Sequence, residues 1–321
     1  MKETTHKLMT LDFWCICISN FCLYAAIWTL LPILPAEGYL MGMNRTDITV
    51  SFLLFIFTLI GVGPLHCYLG DAFKRKHVLI LGTLATALCM AGWFRVNEPW
   101  QVMGLMALAG ASFGIATTAG ITIAIDITQS NRRGAGNRMY AFSGALGMLL
   151  GICCLSSFYI TIGFNSLVFV SLALFAISLL METGIYVAFR APVGVGIFNI
   201  DRFFLPLAWL PAVNVLLLTF GIGLLMNVLP PYTYLRSVVL IALTIASVPL
   251  TRMFVKLSHH CQRGTANTTL QLASQAGLLL GTVMGEWISN NVIISGMIIV
   301  SSAFMFMGIT LPYFRRNRVR P

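Results

Sequence analysis

Ten apolar segments follow one another along this chain, separated by short joints that carry charged and turn-forming residues. An apolar run of about 20 residues is long enough to cross a bilayer as an α-helix. The runs are continuous, whereas the strands of a transmembrane barrel alternate apolar and polar residues. The predicted spans, numbered one to ten, cover residues 11–34, 48–69, 77–94, 101–127, 138–161, 165–189, 205–227, 237–257, 268–289 and 292–314.

Composition supports an all-α integral membrane protein. Only 9% of the residues are charged, against about 25% in soluble domains. The first apolar run, 11–34, is longer than the core of a cleavable signal peptide, and we interpret it as the first span. A net charge of +10 would suggest nucleic-acid binding in a soluble protein. In a membrane protein the positions of the charges matter more than their sum, so no nucleic-acid partner is expected.

The basic residues predict the orientation of the chain. When the N-terminus is placed inside, all 20 Lys and Arg residues except Arg45, Arg95 and Arg236 fall on the inner side. Cytoplasmic loops carry such an excess of Lys and Arg, and one extra or missing span would destroy this split. We therefore expect a multi-pass protein of the plasma (inner) membrane with both termini in the cytoplasm.

A second constraint is an internal repeat. The stretch "RRGAGNRMYAFSGALGMLLG" at 132–151 resembles "QRGTANTTLQLASQAGLLLG" at 262–281. Both copies begin on the predicted inner side, in spans five and nine, so the two halves are expected to face the same way, as in one class of transporters. Small residues one turn apart allow helices to pack closely in lipid. The informative matches are Arg133/Arg263, Gly134/Gly264, Asn137/Asn267, Gly147/Gly277 and Gly151/Gly281.

The longest inner connection, "RAPVGVGIFNID" at 190–201, contains proline, glycine and other turn residues and is typical of a linker. The sequence therefore predicts two pseudo-symmetric bundles. We expect a six-helix N-terminal bundle at 1–190, a cytoplasmic linker at 191–204 and a four-helix C-terminal bundle at 205–321.

The loop "CYLGDAFKRK" at 67–76 carries a family resemblance. It resembles the signature loop of the major facilitator superfamily, roughly Gly-x-Leu-x-Asp-Arg-x-Gly-Arg-Arg. The loop departs from that pattern at Cys67, Ala72 and Lys74. "MALAGASFG" at 106–114 resembles the fourth-span motif of the family, with Met in place of the expected Arg. The matching residues of the loop are Leu69, Asp71, Arg75 and Lys76.

The resemblance implies two halves of six spans in which spans five and eleven correspond. Here the second copy lies in span nine, so two spans are expected to be absent between spans seven and eight. The resemblance also implies that Asp71 reaches the start of span nine and holds the two halves together on the cytoplasmic side. The predicted gating residues are Asp71, Arg75, Lys76, Arg133 and Arg263.

Polar residues within spans are candidates for a solute site, because they are costly in lipid and usually face a cavity or another helix. Asn20, Tyr24 and Trp28 recur every four residues and share one face of span one. The resemblance implies that spans one, four and seven surround the cavity, which adds Thr118, Thr122 and Asn214. Two intramembrane acids, Glu182 and Glu286, are candidate proton carriers.

The leading interpretation is a secondary transporter that moves a small solute by alternating access, with no cofactor and no metal site. One alternative is a ten-span carrier of the drug/metabolite type, which the parallel repeat disfavours. Another is a truncated membrane protein that does not transport, and a partner protomer could complete a shortened bundle as a homo-oligomer. A membrane enzyme would need clustered His, Asp or Cys residues, and His6, His66 and His77 do not form such a set. The expected partners are the solute, the lipid bilayer and a proton or other ion.

Overall fold

The computed structural model describes residues 10–63, 65, 68–69, 73–129, 132–187, 204–228, 241, 245, 263–288, 300 and 303–304. Predicted spans one to seven and span nine fall wholly or largely within these ranges. Spans eight and ten lie almost entirely outside the described residues, as does the predicted linker. The division into six and four spans therefore stays a prediction.

The described chain is helical, with no strand among its residues, and the all-α prediction is confirmed. A 3₁₀ turn, Leu31–Ile33, joins the first two helices, and a π-helical segment, Leu150–Leu155, continues the sixth. The helices, numbered in chain order, are α1 Leu11–Leu30, α2 Leu34–Leu40, α3 Arg45–Gly61, α4 Arg75–Gly92, α5 Pro99–Ile127, α6 Arg133–Leu149, α7 Tyr159–Gly184, α8 Trp209–Val228 and α9 Arg263–Ile288.

Five described helical stretches are long and apolar enough to cross a bilayer. One of them, Arg133–Gly184, contains predicted span five and most of predicted span six. The helical path breaks at Gly163, whose φ of +77° lies in the left-handed region that favours glycine. The break falls in the joint predicted between residues 161 and 165. The other four stretches are Leu11–Leu40, Arg75–Arg95, Pro99–Ile127 and Pro206–Leu224.

Local sequence explains where several helices begin. The Thr10 hydroxyl accepts a hydrogen bond from the Phe13 N–H and caps α1. Asn44 and Asp47 form a reciprocal capping box at the start of α3. Such caps satisfy backbone N–H groups that have no partner within the helix.

Helix α1 lies at the centre of the first bundle, which comprises α1 to α7. A Cβ added at Gly147 of α6 would overlap the carbonyl oxygen of Phe21, and one at Gly151 would lie 2.8 Å from that of Ala25. The two helices therefore pack backbone to backbone and run in the same direction. On another side α7 runs antiparallel to α1, because Ser171 contacts Ala26 and Ser178, further along α7, contacts Ser19.

The second bundle, described here by α8 and α9, repeats this arrangement. A Cβ added at Gly277 of α9 would overlap the backbone of Leu216 on α8, and one at Gly281 would overlap the backbone of Phe220. Helices α8 and α9 thus run in the same direction and meet through glycine, as α1 and α6 do. The duplicated sequence therefore folds into two equivalent helix pairs.

The two copies of the repeat also point the same way. Tyr24 of α1 hydrogen-bonds to Gln275 of α9, and Tyr39, at the end of α2, hydrogen-bonds to Glu286 further along α9. Helix α9 therefore follows the direction of α1, to which α6 is parallel. The relation between Gly147 and Gly277 is that of a parallel repeat.

Candidate functional site

The two bundles meet through polar contacts at the end that the charge distribution predicts to face outward, which we call the outer end. The Tyr39 hydroxyl donates to Glu286 Oε1 at 2.6 Å, and Arg45 Nε lies 3.9 Å from the same oxygen. The Trp287 indole N–H donates to Thr49 Oγ1 at 2.8 Å, and the Arg45 guanidinium lies 5.9 Å from the centre of the Trp287 ring. We call these five residues the outer contact set.

A further contact crosses between the bundles nearer the middle of the helices. The Gln275 side chain donates to the Tyr24 hydroxyl at 2.7 Å, and both residues are buried. The Tyr24 ring meets Phe113 of α5 edge to face, with ring centroids 5.3 Å apart. Gln275 and Tyr24 therefore connect α9 to the interior of the first bundle.

A cavity of about 380 Å³ lies between the bundles, in the outer half of the molecule. Its first-bundle walls come from the end of α1, the turn that follows it, α2, α3, the segment that joins α6 to α7, and the start of α7. Helix α9 closes the other side. Among the described residues that line the cavity, Glu286 is the only charged one. The aromatic lining comprises Trp28, Tyr39, Phe52 and Tyr159.

Irregular helix shapes one wall of this cavity, and a partly buried hydrogen bond supports the next. The π-helical segment Leu150–Leu155 begins where Gly151 packs against the backbone of α1, and it places Ile152 on the cavity wall. Single-turn π segments often occur at functional sites. On the adjacent wall the Tyr159 hydroxyl donates to Glu37 Oε2 at 2.7 Å, which puts a second carboxylate behind the lining.

The three candidates of span one share a face, as their spacing predicts, but they have different neighbours. Trp28 lines the cavity, and its buried indole N–H has no hydrogen-bond partner among the described residues. Tyr24 makes the contact with Gln275. Asn20 Nδ2 donates to the Tyr140 carbonyl at 2.9 Å and to Ser143 Oγ at 3.0 Å, so it connects α1 to α6.

The other cavity candidates are placed away from the lining. The Thr118 hydroxyl donates to the Gly114 carbonyl, and the Thr122 hydroxyl donates to the Thr118 carbonyl at 2.7 Å. Both bonds stay within α5. Asn214 is buried on α8, and its Oδ1 has no partner among the residues described.

The described gating candidates contact the first bundle. Arg75 pairs with Asp126, at the end of α5. Lys76 Nζ donates to the carbonyls of Thr183 at 2.7 Å and Ile185 at 2.8 Å, which leaves it at the C-terminal end of α7. A cation is favourable there, because carbonyls at a helix C-terminus carry partial negative charge.

The remaining gating candidates are less completely placed. Arg133 begins α6, and its Nε is buried without a hydrogen-bond partner in the described part of the chain. Arg263 begins α9, but its side chain is outside the description, and Asp71 lies outside the described residues altogether. The contact of Asp71 with span nine stays a prediction.

Sequence reasoning missed Asp126 and the partners of the two acids. Asp126 ends span four, which is antiparallel to span three, so a pairing with Arg75 at the start of span three could have been expected. Glu286 belongs to the outer contact set and lines the cavity. Glu182 is fully buried within the first bundle, where the hydroxyls of Ser19, Thr83 and Ser178 surround it.

Comparisons with known proteins agree with this architecture. No curated protein matches the chain. Among solved structures, that of the human organic anion transporter MFSD10 (TETRAN) superposes with a TM-score of 0.62 at 14% identity, covering 94% of this chain and 99% of that one. The structure of the nucleoside transporter NupG gives a TM-score of 0.60 at 13% identity, covering 95% of this chain and 98% of that one. At these identities the likeness shows the fold alone.

The family assignment comes from the sequence. The model of the Major Facilitator Superfamily matches residues 16–211. This range begins within α1, covers the rest of the first bundle and ends at the start of α8. This match identifies a transporter family, in agreement with the prediction that the chain is not an enzyme. With its parallel repeat, its two helical bundles and the cavity between them, the chain belongs to the Major Facilitator Superfamily.

Proposed function

We propose that the protein is a secondary transporter that moves a small solute through the cavity between its two bundles by alternating access. The observation that carries this proposal is the position of the cavity, which has one wall on each bundle and lies beside the outer contact set. A cavity of about 380 Å³ falls within the usual range of small-molecule sites, roughly 300–1,000 Å³.

Opening the cavity at the outer end would require the outer contact set to separate. The Arg45–Glu286 pair is partly exposed, and such pairs contribute about 0.2–1 kcal/mol. Interhelical hydrogen bonds in membranes average about 0.6 kcal/mol each. Two such bonds and the ion pair amount to roughly 2 kcal/mol, which a solute with about 30-fold preference for the open state would offset.

We propose that the other end is closed, in the alternate state, by the loop between α3 and α4. Asp71 would contact the start of α9 near Arg263, as the family resemblance implies. The intrabundle contacts of Arg75 and Lys76 support this assignment, because they fix the end of the loop at which α4 begins. Replacing Asp71 with Asn would then change transport and leave membrane insertion unchanged.

The lining favours a solute with an apolar body and one positively charged group. Aromatic rings attract cations that lie over their faces, and Glu286 supplies a negative charge once it separates from Arg45. An anionic solute would place like charge against Glu286. The unpartnered Trp28 N–H would donate to a polar atom of the solute. A proton or another ion is expected to supply the driving force, with Glu182 and Glu286 as candidate carriers.

Counterflow in proteoliposomes tests the proposal. Vesicles loaded with one of a panel of arylalkyl amines would accumulate the labelled amine, and matched arylalkyl carboxylates would accumulate less. Trp28→Phe should reduce uptake severalfold. Trp14→Phe is the matched control, because Trp14 lies on the same helix but is exposed. Absence of counterflow across a broad panel, from protein that is folded and reconstituted, would favour the non-transporting alternative.

A further inference from the structure

A buried carboxyl group lies in the first bundle, away from the cavity. Glu182 of α7 has no exposed surface. Its Oε1 accepts hydrogen bonds from Thr83 at 2.8 Å, from Ser19 at 2.9 Å and from Ser178 at 3.1 Å. The three hydroxyls belong to α4, α1 and α7, so this hydroxyl–carboxyl cluster connects three helices.

The second oxygen of the carboxyl group has no such partner. Glu182 Oε2 is buried and accepts no hydrogen bond in the described structure. No Lys, Arg or His side chain among the described residues lies within ion-pair distance of Glu182. The neighbouring charges are engaged elsewhere, because Lys76 donates to the carbonyls that end α7 and Asp12 accepts from the Tyr186 N–H. A buried charge without a partner costs several kcal/mol, so this carboxyl group needs either a proton or a cation as its partner.

The atoms of the cluster define the kind of cation. All of them are oxygens, and the Ser19 carbonyl adds another, 3.1 Å from Ser178 Oγ. Hard cations prefer oxygen ligands. Na⁺ is close in radius to Ca²⁺, whose distances to ligand oxygens are about 2.3–2.6 Å. One carboxylate balances a single positive charge and leaves a divalent ion uncompensated. We propose that the hydroxyl–carboxyl cluster of Ser19, Thr83, Ser178 and Glu182 binds Na⁺.

Na⁺ at this position bridges α1, α4 and α7 and satisfies Glu182 Oε2. The hydroxyls rotate so that their lone pairs face the ion, and the Ser178 proton turns to the Ser19 carbonyl. The ion therefore stabilises the packing of the first bundle. This inference names the ion for Glu182, which the transport proposal gives only as a candidate carrier of a proton or another ion. It is tested by binding alone, so the two proposals can fail separately.

Melting of the full chain in detergent tests the inference. The apparent melting temperature is measured in NaCl, KCl and choline chloride at constant ionic strength and pH. Na⁺ at ten times its Kd should raise the melting temperature by roughly 3 °C in a saturable way, whereas K⁺ and choline should not. Glu182→Gln should abolish the rise, because it keeps the shape of the side chain and removes the charge.

Two serines of α7 provide a matched pair. Ser178→Ala should weaken the apparent Na⁺ affinity by about tenfold, which corresponds to a loss of roughly 1.4 kcal/mol of binding free energy. Ser171→Ala should leave it unchanged, because Ser171 is equally buried and donates to the Ala26 carbonyl at 3.0 Å, outside the cluster. If Glu182→Gln does not give monodisperse protein, the Na⁺ titrations of Ser178→Ala and Thr83→Val decide the question.

Three results would overturn the inference. One is a melting temperature of the unaltered chain that does not depend on Na⁺. Another is an Na⁺ response that persists in Glu182→Gln. The third is stability that depends on pH and not on Na⁺, which would assign a proton to the carboxyl group.

Discussion

The glycines of the repeat permit a quantitative test of the two equivalent helix pairs. The change is Gly→Ala at Gly147 and, separately, at Gly277. At both positions the added Cβ would overlap backbone of the facing helix, that of Phe21 in one case and Leu216 in the other. Backbone atoms cannot rotate away as a long side chain can, so the two helices must move apart.

The magnitude follows from overpacking. Inserting one methyl group into a well-packed interface typically costs 1–3 kcal/mol. Alanine favours the helix over glycine by about 1 kcal/mol, which offsets part of this cost. Because the overlap is with backbone, the overpacking cost should lie in the upper part of its range. We therefore expect each substitution to destabilise by about 1–2 kcal/mol net and to lower the apparent melting temperature by roughly 2–4 °C. Because the two positions are equivalent, the two shifts should be similar.

Gly104 supplies the control for the same chemical change. It lies within α5, and a Cβ built there meets no atom within 4 Å. Gly104→Ala should leave the melting temperature unchanged or raise it slightly, because only the helix preference remains. The assay is a thermal melt of detergent-purified protein, with size-exclusion chromatography to show that each variant is monodisperse.

Close backbone contact in the two helix pairs is refuted if Gly147→Ala and Gly277→Ala melt at the same temperature as Gly104→Ala. That result would mean that the backbones of α1 and α6, and of α8 and α9, are not in close contact. A large loss at Gly147 with none at Gly277 would refute the equivalence of the pairs and leave the first contact standing.

Three further perturbations separate contacts between the bundles from contacts within one bundle. Glu286→Gln should weaken the outer contact set and increase thiol labelling of a cysteine placed at Ser156, on the cavity wall; unchanged labelling would count against closure by these contacts. Asp126→Asn removes the negative charge that pairs with Arg75 and should lower the melting temperature by a few degrees; an unchanged melt would show that the pair contributes little. Thr122→Val should leave solute binding and stability nearly unchanged, because its hydroxyl bonds within α5; a large loss of solute binding would place Thr122 at the site.

Features that depend on local sequence could be predicted from the chain alone. Apolar runs of about 20 residues predict membrane-spanning helices, and five described helical stretches have that length and composition. The joint near Gly163 follows from the break in the apolar run. The parallel repeat could be detected because its glycines pack against the backbone of the facing helix in both copies. No larger side chain fits at those positions without moving the helices apart, so both copies have glycine there.

The cavity could not be predicted in the same way. Spacing places Asn20, Tyr24 and Trp28 on one face, but the neighbour of each depends on how α6 and α9 cross α1. Glu286 joins Tyr39 and Arg45 only through the fold, because more than 200 residues separate them in sequence. The same holds for Glu182, whose partners come from three helices and are ordinary hydroxyl residues with no motif.

The distribution of polar contacts favours movement of one bundle against the other over deformation within the first bundle. Contacts inside the first bundle, such as the Glu182 cluster, are fully buried, and breaking one leaves an unsatisfied polar group at a cost of about 1–3 kcal/mol. Contacts of the outer contact set are partly exposed, so water can replace them when they separate. The glycine-lined pairs α1–α6 and α8–α9 lie within their own bundles and hold each one together through close packing. The least costly contacts to separate are therefore those of the outer contact set, and a solute bound between Trp28 and Glu286 would lie beside them. The buried Gln275–Tyr24 hydrogen bond, which also joins the bundles, would cost more to break.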